Sequence, residues 1–221
     1  MKIELLAPPY SGHLHPILAI ARQLQPQHEV TVLSTPGAQA AIAASGLNGG
    51  VLLSADQEAA LWQIANPPKP VKANPLRLHA QLTQALRLME QMRQALQQRW
   101  QHARPDLAIV DFNMFPLDGV EFTRLVRTSP DSPNPFLPII MMTGHSERSR
   151  VYEARDAGVT EFIVKPITAK AVLDRLNAVI MKPRPFIKAD GYIGPCRRRR
   201  DTPDYAGPYR RGSDASRSNA A

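Results

Sequence analysis

Short apolar segments alternate with longer segments of helical periodicity along most of the chain, and this alternation constrains the fold more than any other feature. Bounded apolar runs predict strands, and apolar residues at every third or fourth position predict helices. The predicted strands are residues 2–7, 29–34, 50–53, 106–111, 138–143 and 161–164. The predicted helices are residues 17–24, 36–45, 76–102, 119–127, 147–157 and 168–181. Strands that alternate with helices in this way predict a parallel sheet with helical crossovers.

Polar side chains end three of the later predicted strands. Asp111 and Thr143 are the last residues of two of them, and Lys165 follows a third. In a doubly wound parallel sheet of the flavodoxin or Rossmann type, these ends meet at one edge, where ligands bind. A carboxylate, a hydroxyl and an amine suit phosphoryl transfer, because the amine pairs with a phosphate and the hydroxyl donates a hydrogen bond to it.

The longest predicted helix, residues 76–102, has apolar residues on one side and Gln and Arg residues elsewhere. The side that we expect to be buried is formed by Leu78, Leu82, Leu86, Met89 and Leu96. The last predicted helix has a threonine, Thr168, in position to cap its first turn.

The formal net charge of +8 is concentrated near the end of the chain. Residues 183–221 contain nine Lys and Arg against four Asp, and few apolar residues, so we expect a disordered basic tail. Its arginines, Arg197–Arg200, Arg210 and Arg211, leave open a contact with nucleic acid without sequence preference. A single cysteine and the lack of a long apolar run predict a cytoplasmic protein with no membrane segment.

Four motifs after residue 104 occur in a fixed order: DFNMFPLDG at residues 111–119, MTGH at 142–145, Ala157-Gly158 and Lys165-Pro166. In this order and spacing, residues 104–182 resemble the second half of the receiver domain of bacterial response regulators. The basic tail resembles the extension of some single-domain members. The Lys165-Pro166 peptide is often cis in that family.

The resemblance implies a phosphorelay module whose phosphoryl donor is a histidine kinase. It implies that Asp111 is the phosphoacceptor, Thr143 the switch hydroxyl and Lys165 the lysine that pairs with the phosphate. Phe162 corresponds to the switch aromatic. A Mg²⁺ ion would be held by Asp111 and the carbonyl of Asn113.

Two departures from the receiver pattern bear on this function. Phe115 occupies the position where the family usually has a proline directly after the methionine. The acidic pair that follows the first strand of a receiver is missing, since Pro8 and Pro9 follow residues 2–7 here. We therefore expect the magnesium site to lack most of its ligands and phosphorylation to be slow or absent.

Residues 1–112 resemble a different family. The segment APPYSGHLHPILAIAR at residues 7–22, followed by HEVTVL at 28–33, is similar to the first domain of two-domain glycosyltransferases of the macrolide and carotenoid type. In that family the histidine of the turn, here His13, can act as the base that deprotonates an acceptor hydroxyl. Nothing after residue 112 resembles the domain that binds the sugar nucleotide.

We therefore predict a chimera with a glycosyltransferase-like half at residues 1–103 and a receiver-like half at 104–182, joined in one continuous sheet, and a tail at 183–221. The first hypothesis is a signalling module without enzymatic activity of its own. A glycosyltransferase-like fragment that uses His13 and an inactive chimera remain open as alternatives.

Overall fold

The computed structural model describes residues 1–66, 75–114, 117–144, 148–189 and 191–196. One sheet contains six strands: β1 (Lys2–Leu6), β2 (Glu29–Ser34), β3 (Asn48–Val51), β4 (Leu107–Asp111), β5 (Ile139–Thr143) and β6 (Glu161–Val164). They pair in the order β3-β2-β1-β4-β5-β6, and every pair is parallel. The predicted α/β fold with a doubly wound parallel sheet is confirmed.

The described residues form seven helices, which cross between these strands or follow them. They are α1 (Ser11–Leu24), α2 (Gln39–Ala44), α3 (Ala55–Ala65), α4 (Pro75–Ala103), α5 (Gly119–Thr128), α6 (Arg148–Ala157) and α7 (Ala169–Met181), and a 3-10 turn, Pro36–Ala38, precedes α2. Within the described residues, no helix combines the length and apolar character that crossing a membrane requires.

The sheet has an apolar core on each face. Alternate strand residues point to opposite faces, so Val110 and Met141 pack on one side while Ile109 and Met142 pack on the other. The first side is covered by buried residues of α3, α4, α5 and α6, and the second by buried residues of α1, α2 and α7. Such burial on both faces explains why the central strands are almost wholly apolar.

Strand β1 joins the two halves of the chain, because it pairs with β2 on one side and β4 on the other. Its register sets Ile3 opposite Leu107 and Leu6 opposite Val110. Strands β2 and β3 are added on one side of β1, and β4, β5 and β6 on the other, so the strand order changes direction between β1 and β4. Ligands bind at this switch point in such sheets. The division at residue 103 stays a prediction.

Helix α4 buries only part of the side that was predicted: Leu96 is buried as predicted, and Met89 is half-buried. Its buried residues are Leu88, Met92, Leu96 and Trp100, whereas Leu82 and Leu86 are more than half exposed. The four buried residues follow one another at intervals of four positions, so they lie along one side of the helix. The Trp100 ring packs edge-on against the Phe122 ring, with the two ring centroids 4.9 Å apart. The prediction for Leu82 and Leu86 was therefore wrong, because these two residues lie outside the buried stripe.

Two helix starts also differ from the sequence prediction. Helix α1 begins at Ser11, so residues predicted to form a turn are helical and Pro16 lies within the helix. Helix α3 was not predicted; it begins with a capping box in which Ser54 and Gln57 exchange side-chain and backbone hydrogen bonds. Helix α7 begins as expected, with the Thr168 hydroxyl accepting from the Ala171 N–H.

The first part of the predicted disordered tail is folded. Strands β7 (Phe186–Ala189) and β8 (Tyr192–Pro195) form an antiparallel hairpin. The Arg127 guanidinium lies 5.0 Å from the centre of the Phe186 ring, and Arg184 donates a hydrogen bond of 3.1 Å to the carbonyl of Cys196. The contact with Arg127 attaches the hairpin to α5, and Arg184 also forms an ion pair of 3.5 Å with Glu161 in β6. The folded hairpin corrects the prediction for residues 183–196. Residues 197–221, with their arginines, lie outside the described residues.

Candidate functional site at the switch point of the sheet

Four predicted site residues lie near the carboxyl edge of the sheet. Asp111 ends β4, Thr143 ends β5, Lys165 directly follows β6, and His13 lies in the first turn of α1, which follows β1. The strand order places β1 beside β4, so the histidine of the first half and the aspartate of the second approach the same point.

Asp111 forms the centre of this cluster. One of its carboxylate oxygens, Oδ2, lies 2.5 Å from Nζ of Lys165 and 3.1 Å from Nδ1 of His13. Nζ of Lys165 also lies 3.2 Å from Nδ1 of His13. The Asp111 side chain is 1% exposed, that of Lys165 19% and that of His13 31%. One oxygen of the buried Asp111 carboxylate therefore contacts the nitrogen atoms of two partly exposed side chains.

The contacts of His13 Nδ1 with Asp111 and Lys165 are compatible with two tautomers of the ring. An ionised carboxylate only accepts, so Nδ1 of His13 must carry a proton to bond to Asp111. The alternative tautomer has its proton on Nε2, and Nδ1 then accepts from the Lys165 ammonium group. In both arrangements Nδ1 of His13 bonds to one member of the ion pair between Asp111 and Lys165.

The chain after β4 holds Asp111 in position. The backbone N–H of Asn113 donates to the other carboxylate oxygen of Asp111, Oδ1, at 3.0 Å. The Gly119 N–H donates to the Phe112 carbonyl at 3.0 Å. A Cβ atom at Gly119 would lie 2.6 Å from the Asp111 carbonyl oxygen, so only glycine allows α5 to begin this close to the strand.

Thr143 and Phe162 occupy neighbouring strands. The side chain of Thr143 is buried, and its carbonyl accepts a hydrogen bond of 2.8 Å from the Lys165 N–H. This hydrogen bond connects the backbone of Lys165 to the end of β5. Phe162 is half-buried in β6 and packs against the core on the α3–α6 side of the sheet. The Lys165-Pro166 peptide that follows is cis.

The side chains at this site do not fit a magnesium ion. Magnesium requires near-octahedral oxygen ligands at about 2.0–2.1 Å. Ala7 and Pro8, which follow β1, carry no side-chain oxygen, and Asp111 Oδ2 faces two nitrogens instead. No group of three or more His, Cys, Asp or Glu side chains that could hold a metal exists within the described ranges.

The sequence did not reveal an acidic partner for His13, and the structure supplies Asp111. The two residues are 98 positions apart and were assigned to different halves of the chain. Their only shared signal in the sequence is that each follows or ends a predicted strand. Two further positions of the predicted receiver pattern, Phe115 and His145, lie outside the described residues.

Residues 75–177 match the family model of the response regulator receiver domain. The predicted resemblance to the receiver domain is thereby confirmed, although the match runs from the start of α4 to residue 177 and not from residue 104 to 182. It includes strands β4, β5 and β6 together with Asp111, Thr143 and Lys165.

The chain is similar to the chemotaxis protein CheY of Pseudomonas aeruginosa, with 32% identity over 74 residues. These residues are 34% of this chain and 58% of that protein, so the similarity spans less than two thirds of the relative.

Solved structures of both predicted parent families are similar to this chain at low identity. The chemotaxis response regulator CheY4 of Vibrio cholerae is 18% identical with a TM-score of 0.46, over 81% of this chain and 98% of that one. The glycosyltransferase SsfS6 of Streptomyces sp. SF2575 is 17% identical with a TM-score of 0.44, over 71% of this chain and 44% of that one.

Proposed function

We propose that the chain is a cytoplasmic phosphorelay receiver module in which Asp111 accepts a phosphoryl group from a histidine kinase. The observation that carries this proposal is the 2.5 Å contact between Lys165 Nζ and Asp111 Oδ2, within the segment that matches the receiver domain. A buried carboxylate at the ligand-binding edge of a parallel sheet, paired with a lysine, has the chemistry that an aspartyl phosphate requires.

In the proposed reaction, an oxygen of the Asp111 carboxylate attacks the phosphorus of the donor. The bond between phosphorus and the histidine nitrogen of the kinase breaks, and the electron pair of that bond stays with the nitrogen. An acyl phosphate forms on Asp111. Lys165 then pairs with an oxygen of the phosphoryl group instead of the free carboxylate, so that the lysine follows the added negative charge.

Thr143 and Phe162 have the proposed role of reporting phosphorylation. The Thr143 carbonyl accepts a hydrogen bond from the Lys165 N–H, so the backbones of these two residues are connected. A displacement of Lys165 toward a phosphoryl group would therefore pull on the end of β5. Phe162 precedes Lys165 in the same short segment and would move with it.

The test is the intact mass of the purified chain after incubation with acetyl phosphate, once with Mg²⁺ and once with a chelator. We expect wild type to gain one phosphoryl group that hydroxylamine removes, as it removes acyl phosphates. Asp111→Asn is the matched control and should gain none. If wild type gains no such group in either solution, the proposal is overturned and the chain is to be regarded as an inactive chimera.

A second candidate function rests on the 3.1 Å contact between His13 Nδ1 and Asp111 Oδ2. A carboxylate bonded to one imidazole nitrogen orients the ring and stabilises its protonated form, which leaves Nε2 to act as a general base. Such a pair would deprotonate an acceptor hydroxyl, whose oxygen then attacks the anomeric carbon of a sugar nucleotide while the nucleoside diphosphate leaves. This is the glycosyltransferase-like alternative.

Binding of sugar nucleotides by isothermal titration calorimetry tests this alternative. Binding of a sugar nucleotide, with release of the diphosphate when a hydroxyl acceptor is added, would support it, provided that His13→Ala abolishes the release. Absence of any binding heat would rule it out for the donors that are tried.

A further inference from the structure

We propose that the Asp111 site excludes a divalent cation, and that His13 and Lys165 donate to the transferred phosphoryl oxygens in its place. This inference rests on the proposed phosphorelay function, and it concerns how that site can work without the acidic pair. It gives His13 a role in the receiver chemistry, although His13 lies outside the segment that matches the receiver domain.

The first argument is the occupation of Asp111 Oδ2. A magnesium ion at about 2.0–2.1 Å from this oxygen would have to displace both Lys165 Nζ, at 2.5 Å, and His13 Nδ1, at 3.1 Å. The ion would also bring a double positive charge next to the Lys165 ammonium group. The other oxygen, Oδ1, accepts the Asn113 N–H.

The second argument is the end of β1, which supplies no replacement ligands. Ala7 is buried and Pro8 lacks an N–H group, and the Ala7 carbonyl accepts a 2.8 Å hydrogen bond from the Ser34 hydroxyl. The next side chain from this segment that contacts Asp111 is His13, in the first turn of α1. The segment that follows β1 therefore contacts the Asp111 carboxylate through a nitrogen atom of His13.

The third argument is the match between these nitrogens and a phosphoryl group. Asp111 Oδ2 is the oxygen that faces both of them, so a phosphoryl group added to Oδ2 would lie between the carboxylate and the two donors. Lys165 has three N–H donors, and His13 donates from Nδ1 in the tautomer that bonds to Asp111. Both groups reach solvent in part, so a donor molecule can approach.

The step remains balanced without a metal. With acetyl phosphate as donor, Asp111 Oδ2 forms a bond to phosphorus while the bond from phosphorus to the acetyl oxygen breaks. Acetate leaves with that electron pair. Lys165 and His13 supply hydrogen bonds to the phosphoryl oxygens and transfer no proton, because acetate needs none.

The experiment compares phosphorylation rates and metal binding in the full chain. Wild type should be phosphorylated on Asp111 at rates within about twofold of each other in Mg²⁺ and in chelator, since the ion supplies no charge at the site. His13→Ala should lower the rate at least roughly tenfold, the equivalent of one hydrogen bond to a charged group. His15→Ala, an exposed histidine two positions along the same helix, is the matched control and should leave the rate unchanged.

A metal-binding readout keeps the test independent of phosphorylation. Mn²⁺ titrated into wild type and Asp111→Asn and followed by electron paramagnetic resonance should show no binding that depends on Asp111. Mn²⁺ binding that the Asp111→Asn change removes would overturn the proposal, as would a rate that rises tenfold or more with Mg²⁺. If no phosphorylation occurs in any solution, the proposed function fails, while the Mn²⁺ titration still decides whether the site excludes the cation.

Discussion

Nδ1 of His13 lies 3.1 Å from Oδ2 of Asp111, although 98 positions separate the two residues in the chain. The contact exists because β1 and β4 are adjacent and parallel, so the first turn of α1 reaches the end of β4. It joins a residue of α1 to the proposed phosphoacceptor at the end of β4, within the segment that matches the receiver family model. One carboxylate therefore serves both candidate functions, and they cannot use it at the same time.

Lys165→Met should lower the free energy of unfolding by about 1–3 kcal/mol, because the buried Asp111 carboxylate loses its ion pair. Lys170→Met is the matched control, since Lys170 pairs with Asp174 on the exposed surface of α7 and its loss should cost less than about 0.5 kcal/mol. Urea denaturation of both variants measures the difference. Equal effects of the two changes would contradict the description of Asp111 and Lys165 as a buried pair.

Glu4→Gln should remove a pH dependence of stability. Burial raises the pKa of Glu4, and the charge of Arg99 and hydrogen bonds from Trp100 and Arg99 offset this in part. Because the folded pKa exceeds the unfolded value of 4.5, this contribution to stability is complete below 4.5 and is lost as the pH rises through the folded pKa.

Urea denaturation from about pH 4 to about pH 8 tests this effect. Wild type should lose stability as the pH rises above 4.5 relative to Glu4→Gln, whereas Glu90→Gln should keep the wild-type slope from about pH 6 to about pH 8, where Glu90 is ionised in both the folded and the unfolded chain. Hydrogen bonds from Arg93 lower the pKa of the exposed Glu90 to about 2, so this side chain is already ionised in that range. A Glu4→Gln variant that keeps the wild-type slope would contradict the prediction.

Arg127→Ala should lower the free energy of unfolding by about 2–4 kcal/mol, because buried hydrogen bonds to a charged group are lost. Arg127 donates to the Gly158 carbonyl at 3.0 and 3.2 Å and to the Pro135 carbonyl at 2.8 Å. Burial lowers the pKa of Arg127 to about 10, which leaves the guanidinium charged at neutral pH.

The control is Arg124→Ala on the same helix. Arg124 is exposed and its ion pair with Glu153 is 3.8 Å long, so its loss should cost less than about 1 kcal/mol. Because Arg127 also contacts Phe186, hydrogen exchange should become faster in the β7–β8 hairpin of Arg127→Ala and remain unchanged in that of Arg124→Ala. Unchanged hairpin exchange in both variants would show that Arg127 does not hold the hairpin.

Several local features could be predicted because neighbouring residues determine them. Strands β2 and β6 have the predicted bounds, since each is an apolar run between polar residues. Thr168 caps α7 because its hydroxyl and the N–H it accepts from are three positions apart. The receiver motifs were identified by their order along the chain, and the family match over residues 75–177 confirms this resemblance.

Other features depended on which surfaces meet. Helix α4 carries two overlapping sets of apolar residues: Leu82 and Leu86 of the predicted set are exposed, whereas Leu96, which belongs to both sets, is buried. Residues 183–221 as a whole contain few apolar residues, so their composition predicted disorder. The contact of Arg127 with Phe186 and the ion pair of Arg184 with Glu161 hold the first part of this segment against the rest of the fold. Each of these contacts joins two residues that are far apart in the chain, Arg127 with Phe186 and Glu161 with Arg184.

The sequence by itself determined the alternation of strands and helices, and with it the parallel sheet and the placement of Asp111, Thr143 and Lys165 at strand ends. Those properties follow from local polarity and from the geometry shared by all parallel sheets. Only the tertiary structure decided that β1 lies beside β4, and hence that His13 shares a carboxylate oxygen with Lys165. Strand order depends on the packing of helices on both faces of the sheet, which no short segment of the sequence encodes.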